Sequence, residues 1–267
     1  MKEQEQVEKY AKDLATIYKS EKKKRMELEK AYEKIKIYAE SLKSMVSEVR
    51  QSKENLEAAY IDTINHLVLA SEFRDEDTGD HIARMSQYSA LIAEKMDLPE
   101  EMVKNILFAS PMHDIGKIGI PDKIMLKKGK LTDEEFEVMK SHTTIGAKIL
   151  ENSNAEILKI SQQIAISHHE KWNGKGYPQG SSGENIPLAG RIVCLADVFD
   201  ALTSKRPYKD PYPIDIAIDI IKKERGEQFD PKIVDVFLEN IKEILEIKGG
   251  EKSLDSTATF MWSERDS

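Results

Sequence analysis

The sequence Pro111-Met112-His113-Asp114-Ile115-Gly116-Lys117 places a histidine beside an aspartate at the end of an apolar run. Adjacent residues of a helix point about 100° apart, so this pair could reach two neighbouring metal ions, with the carboxylate bridging them. A lone His-Asp pair is also common at a protein surface or at a helix end, where the aspartate is a cap. The distribution of the other histidines therefore decides between these interpretations.

The other histidines favour a metal site. Of the six in the chain, five lie in apolar segments of helical character, and all of these but His142 stand beside a carboxylate or another histidine. Imidazoles and carboxylates without thiolates suit Fe, Mn or a similar divalent metal better than a structural zinc site, and they indicate hydrolysis by a metal-bound hydroxide. The sixth, His66, lacks such a companion and is predicted to be a polar position on a long helix. The five are His81, His113, His142, His168 and His169.

Composition narrows the class of protein. A chain of 267 residues with 40% hydrophobic content can bury one core of about 180 residues and carry an accessory segment. A net charge of −8, with no long basic run near the histidines, argues against duplex nucleic acid as a ligand. The single cysteine, Cys194, lies in an apolar run, which excludes disulfides and a thiolate metal site. Because no apolar run is long enough to span a membrane and the start does not resemble a signal peptide, we predict a cytoplasmic protein.

The first 60 residues contain no Gly or Pro and are rich in Lys and Glu, which predicts one unbroken helix. A heptad repeat of apolar residues starts at Val7, and only Glu21, Lys24 and Ser52 interrupt it. A surface helix packed on its own domain is the alternative, but so narrow a stripe favours a parallel dimeric coiled coil. We therefore expect a homodimer joined by this helix. The apolar a and d positions are Val7, Tyr10, Leu14, Ile17, Leu28, Ala31, Ile35, Tyr38, Leu42, Met45, Val49, Leu56 and Ala59.

The remainder predicts an all-α fold, because apolar residues recur at helical spacing and alternating strand patterns are scarce. Thr132 and Glu135 have the spacing of a capping box and open a helix that we expect to carry His142. A glycine-rich stretch interrupts the helices at residues 172–180. Residues 248–267 are polar and aperiodic, which predicts a flexible C-terminal tail.

Several motifs occur together and resemble the HD-GYP domain, the bacterial branch of the HD phosphohydrolases that cleaves cyclic di-GMP. This resemblance covers about residues 65–245. It implies an HD-type helical bundle at 63–247, preceded by a coiled-coil signalling helix at 1–62 and followed by the tail. The motifs are Arg74-Asp75-Glu76-Asp77-Thr78-Gly79-Asp80-His81, His113-Asp114-Ile115-Gly116-Lys117, His142, His168-His169-Glu170, Gly176-Tyr177-Pro178, Ala196-Asp197 and Arg206-Pro207-Tyr208-Lys209.

The resemblance implies two metals bridged by Asp114 and by a hydroxide that attacks phosphorus. Some family members bind a third metal through a glutamate four residues before the first histidine. Asp77 stands there, one methylene shorter, and helix capping competes with this role. Two or three divalent metals per chain, Fe or Mn, are thus implied. The implied ligands are His81, His113, Asp114 and Asp197 for the first metal, and Asp114, His142 and His168 or His169 for the second.

The same resemblance implies further roles near the metals. Lys117, one turn from His113, would act with Asp114 in catalysis and meet a phosphate oxygen or the bridging water. Arg206 and Lys209 match the family's phosphate-binding pair, and Arg and Lys suit a doubly charged cyclic dinucleotide. Tyr177 would lie over the mouth of the site and contact substrate. Two further carboxylates, Glu170 and Asp200, either orient a ligand imidazole or are exposed or capping groups.

The implied function is a metal-dependent phosphodiesterase that hydrolyses cyclic di-GMP to pGpG, to GMP, or to both. The alternative is a non-catalytic cyclic di-GMP receptor or scaffold that docks signalling partners. Degenerate members of that kind usually lack ligands, whereas the only departure here is aspartate for glutamate at Asp77. Hydrolysis of another nucleotide is disfavoured by Gly176-Tyr177-Pro178. Diguanylate cyclases or an upstream sensor are the further partners that the resemblance allows.

Overall fold

The computed structural model describes residues 2–72, 79–205 and 210–250, and the chain divides into two compact units, Met1–Tyr60 and Ile61–Ser267. Three predicted site residues, Asp77, Arg206 and Lys209, lie outside the described residues, as does most of the predicted tail, 251–267.

The described residues form helices and no strand; one isolated bridge joins Arg225 to Phe229. The predicted all-α class is therefore confirmed. Short 3-10 helices cover Ser110–Met112, Ile115–Gly119 and Gly183–Asn185. The α-helices are α1 (Lys2–Glu72), α2 (Gly79–Lys95), α3 (Glu100–Ala109), α4 (Asp122–Met125), α5 (Asp133–Lys140), α6 (His142–Ile149), α7 (Glu156–Ser167), α8 (Leu188–Thr203), α9 (Ile214–Lys223), α10 (Pro231–Glu239) and α11 (Ile241–Lys248).

The long helix α1 confirms the predicted unbroken N-terminal helix. Ion pairs between residues four apart, such as Arg50 with Glu54 at 3.0 Å, add local support. The large apolar residues of its heptad positions are exposed, from 53% at Met45 to 71% at Leu56.

Within the part of the chain that is described, no helix combines the length and the apolar character needed to cross a membrane.

The core of the second unit is built around α8, which packs against α2, α7, α9 and α10. Most residues of α8 are buried, as expected for a helix at the centre of a core. Phe199 of α8 lies between Tyr88 and Phe237, with ring centroids 5.5 and 5.0 Å away. Such aromatic side chains bury large areas and make specific edge contacts. This packing fixes the position of the polar face of α8 that carries Asp197 and Asp200.

The capping box at the start of α5 forms as predicted: the Glu135 amide donates to the Thr132 hydroxyl, and the Thr132 amide donates to the Glu135 carboxylate. The expectation that this helix carries His142 is wrong, because α5 ends at Lys140 and His142 begins α6. Ser141 closes α5, since its amide and its hydroxyl both donate to the carbonyl of Val138, three residues back. The chain then starts a new helix at His142.

Close backbone packing holds the 3-10 helix Ile115–Gly119 against α6. A methyl group at Gly116 would lie 1.9 Å from the carbonyl oxygen of His142 and 2.4 Å from the amide nitrogen of Gly146. Neither of these backbone atoms can move without shifting α6. Glycine at 116 therefore sets the distance between the segment that follows Asp114 and the helix that begins with His142.

We predict that Gly116→Ala lowers the free energy of unfolding by about 2–3 kcal/mol, because the added methyl overlaps backbone atoms. The control is Gly119→Ala in the same 3-10 helix, where the methyl would meet only side-chain atoms of Ile145, the nearest at 2.9 Å. That side chain can rotate away, so the control should lose much less stability. Thermal or urea unfolding measures both; equal losses would contradict the close-packing argument.

Candidate metal centre

Histidine and aspartate side chains from separate segments converge in the second unit. They form two groups, and within each group the candidate ligand atoms lie within 4.8 Å of one another. The predicted ligands that the structure describes all belong to one group or the other. The first group is His81, His113 and Asp197, and the second is Asp114, His142, His168 and His169.

Local structure explains how each ligand is presented. His81 lies on α2, Asp197 on α8, His142 at the first position of α6, and His168 directly after α7. The initial premise that the His-Asp pair sits within a regular helix is wrong, because His113 and Asp114 form the turn between two 3-10 helices. Helix ends carry backbone groups that lack partners within the helix. These free backbone groups at helix ends can hydrogen-bond to side chains and hold them pointing into a common site.

Asp114 lies between the two groups. Its Oδ2 is 3.1 Å from Nε2 of His113, and its Oδ1 is 3.2 Å from Nε2 of His142 and 3.6 Å from Nε2 of His168. Each oxygen thus faces a different group of imidazoles. The Nζ of Lys117 lies 2.8 Å from Oδ2. This arrangement suits a carboxylate that bridges two cations.

Backbone hydrogen bonds fix the orientation of three imidazoles. In each, Nδ1 contacts the carbonyl oxygen of a residue three or four positions earlier, at 2.7–3.1 Å. A carbonyl oxygen can only accept, so Nδ1 carries the hydrogen and the neutral ring presents the lone pair of Nε2. Metal-binding histidines commonly make such a bond with their other nitrogen. The three residues are His113, His142 and His168.

These lone pairs provide the test of whether the site fits a metal. The Nε2 atoms of His113, His142 and His168 and the Oδ1 atom of Asp114 are buried and have no hydrogen-bond partner among the described residues. Buried polar atoms without partners are uncommon in folded proteins. Here several acceptors face one another, an arrangement that repels unless a proton or a cation lies between them. The residues therefore fit divalent cations, and no thiolate takes part, since Cys194 is buried beside the carbonyl of Glu170.

The ionisation of the site follows from the same geometry. Burial by itself would lower the pKa of His113, but the carboxylates of Asp114 and Asp197 raise it to about 9. Burial would raise the pKa of Asp114, yet the Lys117 ammonium and His113 hold it well below its usual range. Burial lowers the pKa of His142 to about 4. The metal-free site thus attracts a proton at His113, and a cation that binds there must displace it.

Asp200 fixes the ring of His81 from behind. The Nδ1 of His81 donates to Oδ2 of Asp200 at 2.8 Å, while the guanidinium of Arg84 donates to both carboxylate oxygens at 2.7 and 2.9 Å. Asp200 is fully buried, and despite burial these two donors hold its pKa below the ordinary range. Of the two alternatives for Asp200, the structure shows the imidazole-orienting geometry. Arg84 was not singled out in the sequence, although its place one helical turn after His81 was a signal.

Glu170 has a different neighbour. Its Oε1 accepts from the amide of Gln179 at 2.7 Å, so this buried carboxylate holds the glycine-rich loop. Glu170 is therefore neither exposed nor a helix cap, and its Oε1 bonds to the loop rather than to an imidazole. A methyl at Gly176 would lie 2.3 Å from the amide nitrogen of Lys171, so glycine permits the loop to pack this closely. The result places the Tyr177 ring 4.8 Å from the ring of His169.

The chain is similar to several known proteins. The family model of the HD domain matches residues 68–233. A cyclic di-GMP phosphodiesterase of Thermotoga maritima is 45% identical over 224 residues, an alignment that covers 82% of this chain and 61% of that protein. A 3'3'-cGAMP-specific phosphodiesterase 2 of Vibrio cholerae is 40% identical over 185 residues, covering 69% of this chain and 35% of that protein.

A crystal structure from Vibrio cholerae described as a cyclic GMP-AMP specific phosphodiesterase has the same fold. Its TM-score is 0.53 at 22% identity, and the match covers 76% of this chain and 52% of that one. The chain spans about six tenths of the Thermotoga relative and about a third of the Vibrio relative. The HD motif, the helical fold and the family match agree. The chain belongs to the HD-domain family, as the resemblance of its motifs predicted.

Proposed function

We propose that residues 63–247 form a metal-dependent phosphodiesterase that hydrolyses cyclic di-GMP to pGpG, to GMP, or to both. The observation that carries this proposal is the Asp114 carboxylate, whose two oxygens face two groups of imidazoles with unpaired Nε2 atoms. The Thermotoga relative, named for this activity, supports the choice of substrate.

In this proposal, His81, His113 and Asp197 would hold one divalent cation. His142 with His168 or His169 would hold another, and Asp114 would serve both. Bound there, two cations of Fe or Mn would supply charge to neutralise a phosphodiester and to acidify a water molecule for attack on phosphorus. Asp77 remains the candidate ligand for a third. The imidazole and carboxylate donors suit these metals.

The chain's own groups would orient the substrate. Lys117 holds Asp114 ionised and lies beside the shared carboxylate, where its ammonium can also donate to a phosphate oxygen. Tyr177 stands beside His169 and would contact the nucleotide. Arg206 and Lys209 keep the phosphate-binding role that their sequence suggests. Together these groups would orient an anionic dinucleotide with one phosphodiester at the metals.

A second candidate substrate is 3'3'-cGAMP, because the Vibrio relative named for that specificity is 40% identical to this chain. The test is to purify the protein anaerobically, measure its metals, and separate the products formed from cyclic di-GMP and 3'3'-cGAMP side by side. Cleavage of cyclic di-GMP at the higher kcat/KM supports the proposal. Tight binding by a metal-loaded protein without product would instead identify a receptor.

We predict that Asp114→Ala loses at least one metal per chain and lowers hydrolysis by more than about a hundredfold, since two cations lose a shared anionic ligand. The exposed carboxylate of Glu151 offers a control, because Glu151→Gln removes one negative charge away from the ligand set. Elemental analysis and product formation are measured on both variants. Wild-type metal content in Asp114→Ala would show that Asp114 does not bridge.

A second prediction concerns Asp200. Asp200→Asn places an amide NH₂ toward donors of His81 and Arg84, so the His81 ring loses its fixed orientation and metal affinity should fall about 10–100-fold. Asp235→Asn is a matched control, because Arg225 donates to both oxygens of this exposed aspartate at 2.7 and 2.8 Å. Competition with a fluorescent chelator gives both affinities. Equal affinities in the two variants would mean that Asp200 only stabilises the fold.

We also propose that α1 pairs with the α1 of a second copy of the chain as a parallel coiled coil. The support is the apolar stripe of heptad positions from Val7 to Leu56, whose large side chains are exposed. Large contiguous apolar patches on a soluble protein usually mark an interface. Such a homodimer would give each catalytic unit a shared helical stalk, through which an upstream sensor could act.

We predict that the double substitution Ile35→Asp and Leu42→Asp yields monomers, because two charges would be buried in the seam. The control is Met26→Asp with Ile37→Asp, which adds the same charges at exposed apolar residues outside the a and d positions. Light scattering at micromolar concentration compares the masses. A monomeric wild type, or dissociation of both double variants, would refute the proposed seam.

A further inference from the structure

Helix α5 presents an aromatic ring and a cation that its own packing does not explain. None of its side chains is buried, and Phe136 is 46% exposed. Exposing so much of an aromatic ring forgoes the large contribution that its burial would make. Lys140, one turn later, places its Nζ 5.4 Å from the centre of the Phe136 ring. Both groups therefore occupy the same face of α5.

This face meets the glycine-rich loop. The Phe136 and Tyr177 rings lie 6.2 Å apart at an angle of 79°, and the Nζ of Lys140 is 5.6 Å from the centre of Tyr177. The exposed Glu137 carboxylate lies 2.5 Å from this Nζ. We call Phe136, Lys140 and Tyr177 the aromatic corner. A planar group stacked on one ring would place its edge toward the other.

The aromatic corner continues directly into the candidate metal centre. The Tyr177 ring lies 6.5 Å from the ring of His142 and 4.8 Å from the ring of His169, both in the second ligand group. A flat ligand group attached to a phosphodiester at those histidines would therefore reach the corner. Of the corner residues, only Tyr177 was singled out in the sequence.

We infer that the aromatic corner binds a purine base of the cyclic dinucleotide substrate, with Phe136 and Lys140 contributing to affinity beside Tyr177. The inference rests on the proposed function, because it assumes that a phosphodiester of that substrate lies at the metals. Aromatic side chains stack on the π face of any base, and a cation beside them adds electrostatic attraction. The Lys140 ammonium is such a cation, although the Glu137 carboxylate beside it offsets part of its charge.

The alternative is that Phe136 and Lys140 only fasten the glycine-rich loop to α5. The two roles differ in what their loss changes. Loss of a base contact raises KM for a nucleotide and leaves a phosphodiester without a base unaffected. Loss of a structural contact lowers stability and slows the hydrolysis of both kinds of substrate.

The test is Phe136→Leu in the metal-loaded full chain, assayed with cyclic di-GMP and with methyl p-nitrophenyl phosphate, which has no base. We expect KM for cyclic di-GMP to rise about tenfold while kcat changes less than about twofold, as for the loss of one stacking contact. Hydrolysis of the base-free ester should stay within about twofold of wild type. Phe136→Tyr, which keeps a ring, should restore KM.

A binding readout accompanies the kinetics. A cyclic dinucleotide that carries 2-aminopurine in place of one guanine loses fluorescence when that base stacks, and stopped-flow mixing records the loss before turnover. Phe136→Leu and Lys140→Ala should each reduce the quenching or the affinity. Val138→Ala is the control on the same helix, because Val138 is 40% exposed but points about 160° away from Phe136.

Each outcome distinguishes the hypotheses. If the wild type cleaves cyclic di-GMP and Phe136→Leu keeps its KM and its quenching, the aromatic corner is not a base site, while the proposed function stands. If Phe136→Leu slows both substrates and lowers the thermal midpoint well below that of Val138→Ala, the corner is structural. If the wild type cleaves only the base-free ester, the proposed function and the base site both fail.

Discussion

The structure depends on one electrostatic constraint, the position of the partly buried Asp114 carboxylate among the buried imidazoles of His113, His142 and His168. The Nδ1 hydrogens of these rings bond to backbone carbonyls, so the Nε2 atoms are hydrogen-bond acceptors. These Nε2 atoms face the carboxylate oxygens of Asp114, which are also acceptors. Such a cluster is stable only if a proton or a cation enters it. In the metal-free site a proton fills this role, which is why the pKa of His113 is raised. Divalent cations would neutralise the acceptors more fully.

The rest of the second unit holds these acceptors in place against their repulsion. Three rings are fixed by carbonyls of their own segment, a local interaction. The fourth, His81, is fixed by Asp200, which lies 119 residues later and is itself clamped by Arg84. The apolar packing of α8 against α2 brings these residues together. The packing of the core thus contributes to the site by placing the buried Asp200 carboxylate behind the ring of His81.

Small residues and helix breaks control the remaining distances. Gly116 lets the turn after Asp114 lie against the backbone of α6, and Ser141 ends α5 so that His142 starts a new helix. Gly176 lets the loop close over Glu170 and bring Tyr177 to His169. The helix break at Ser141 also ends α5 early, and none of the residues of α5 is buried. The Phe136 ring of this helix faces Tyr177. Local backbone geometry therefore shapes both the metal centre and its mouth.

The sequence by itself determined the helical class, the unbroken N-terminal helix, the capping box at Thr132 and the types of ligand available, because each depends on residues close together in the chain. It misplaced His142, because a periodic pattern does not reveal that Ser141 closes one helix before another begins. Only the tertiary structure decided that Asp200 and Arg84 support His81, that Glu170 holds a loop, and that Phe136 meets Tyr177. Those contacts depend on how distant segments pack, and packing is fixed by the shape of the whole core rather than by any local spacing.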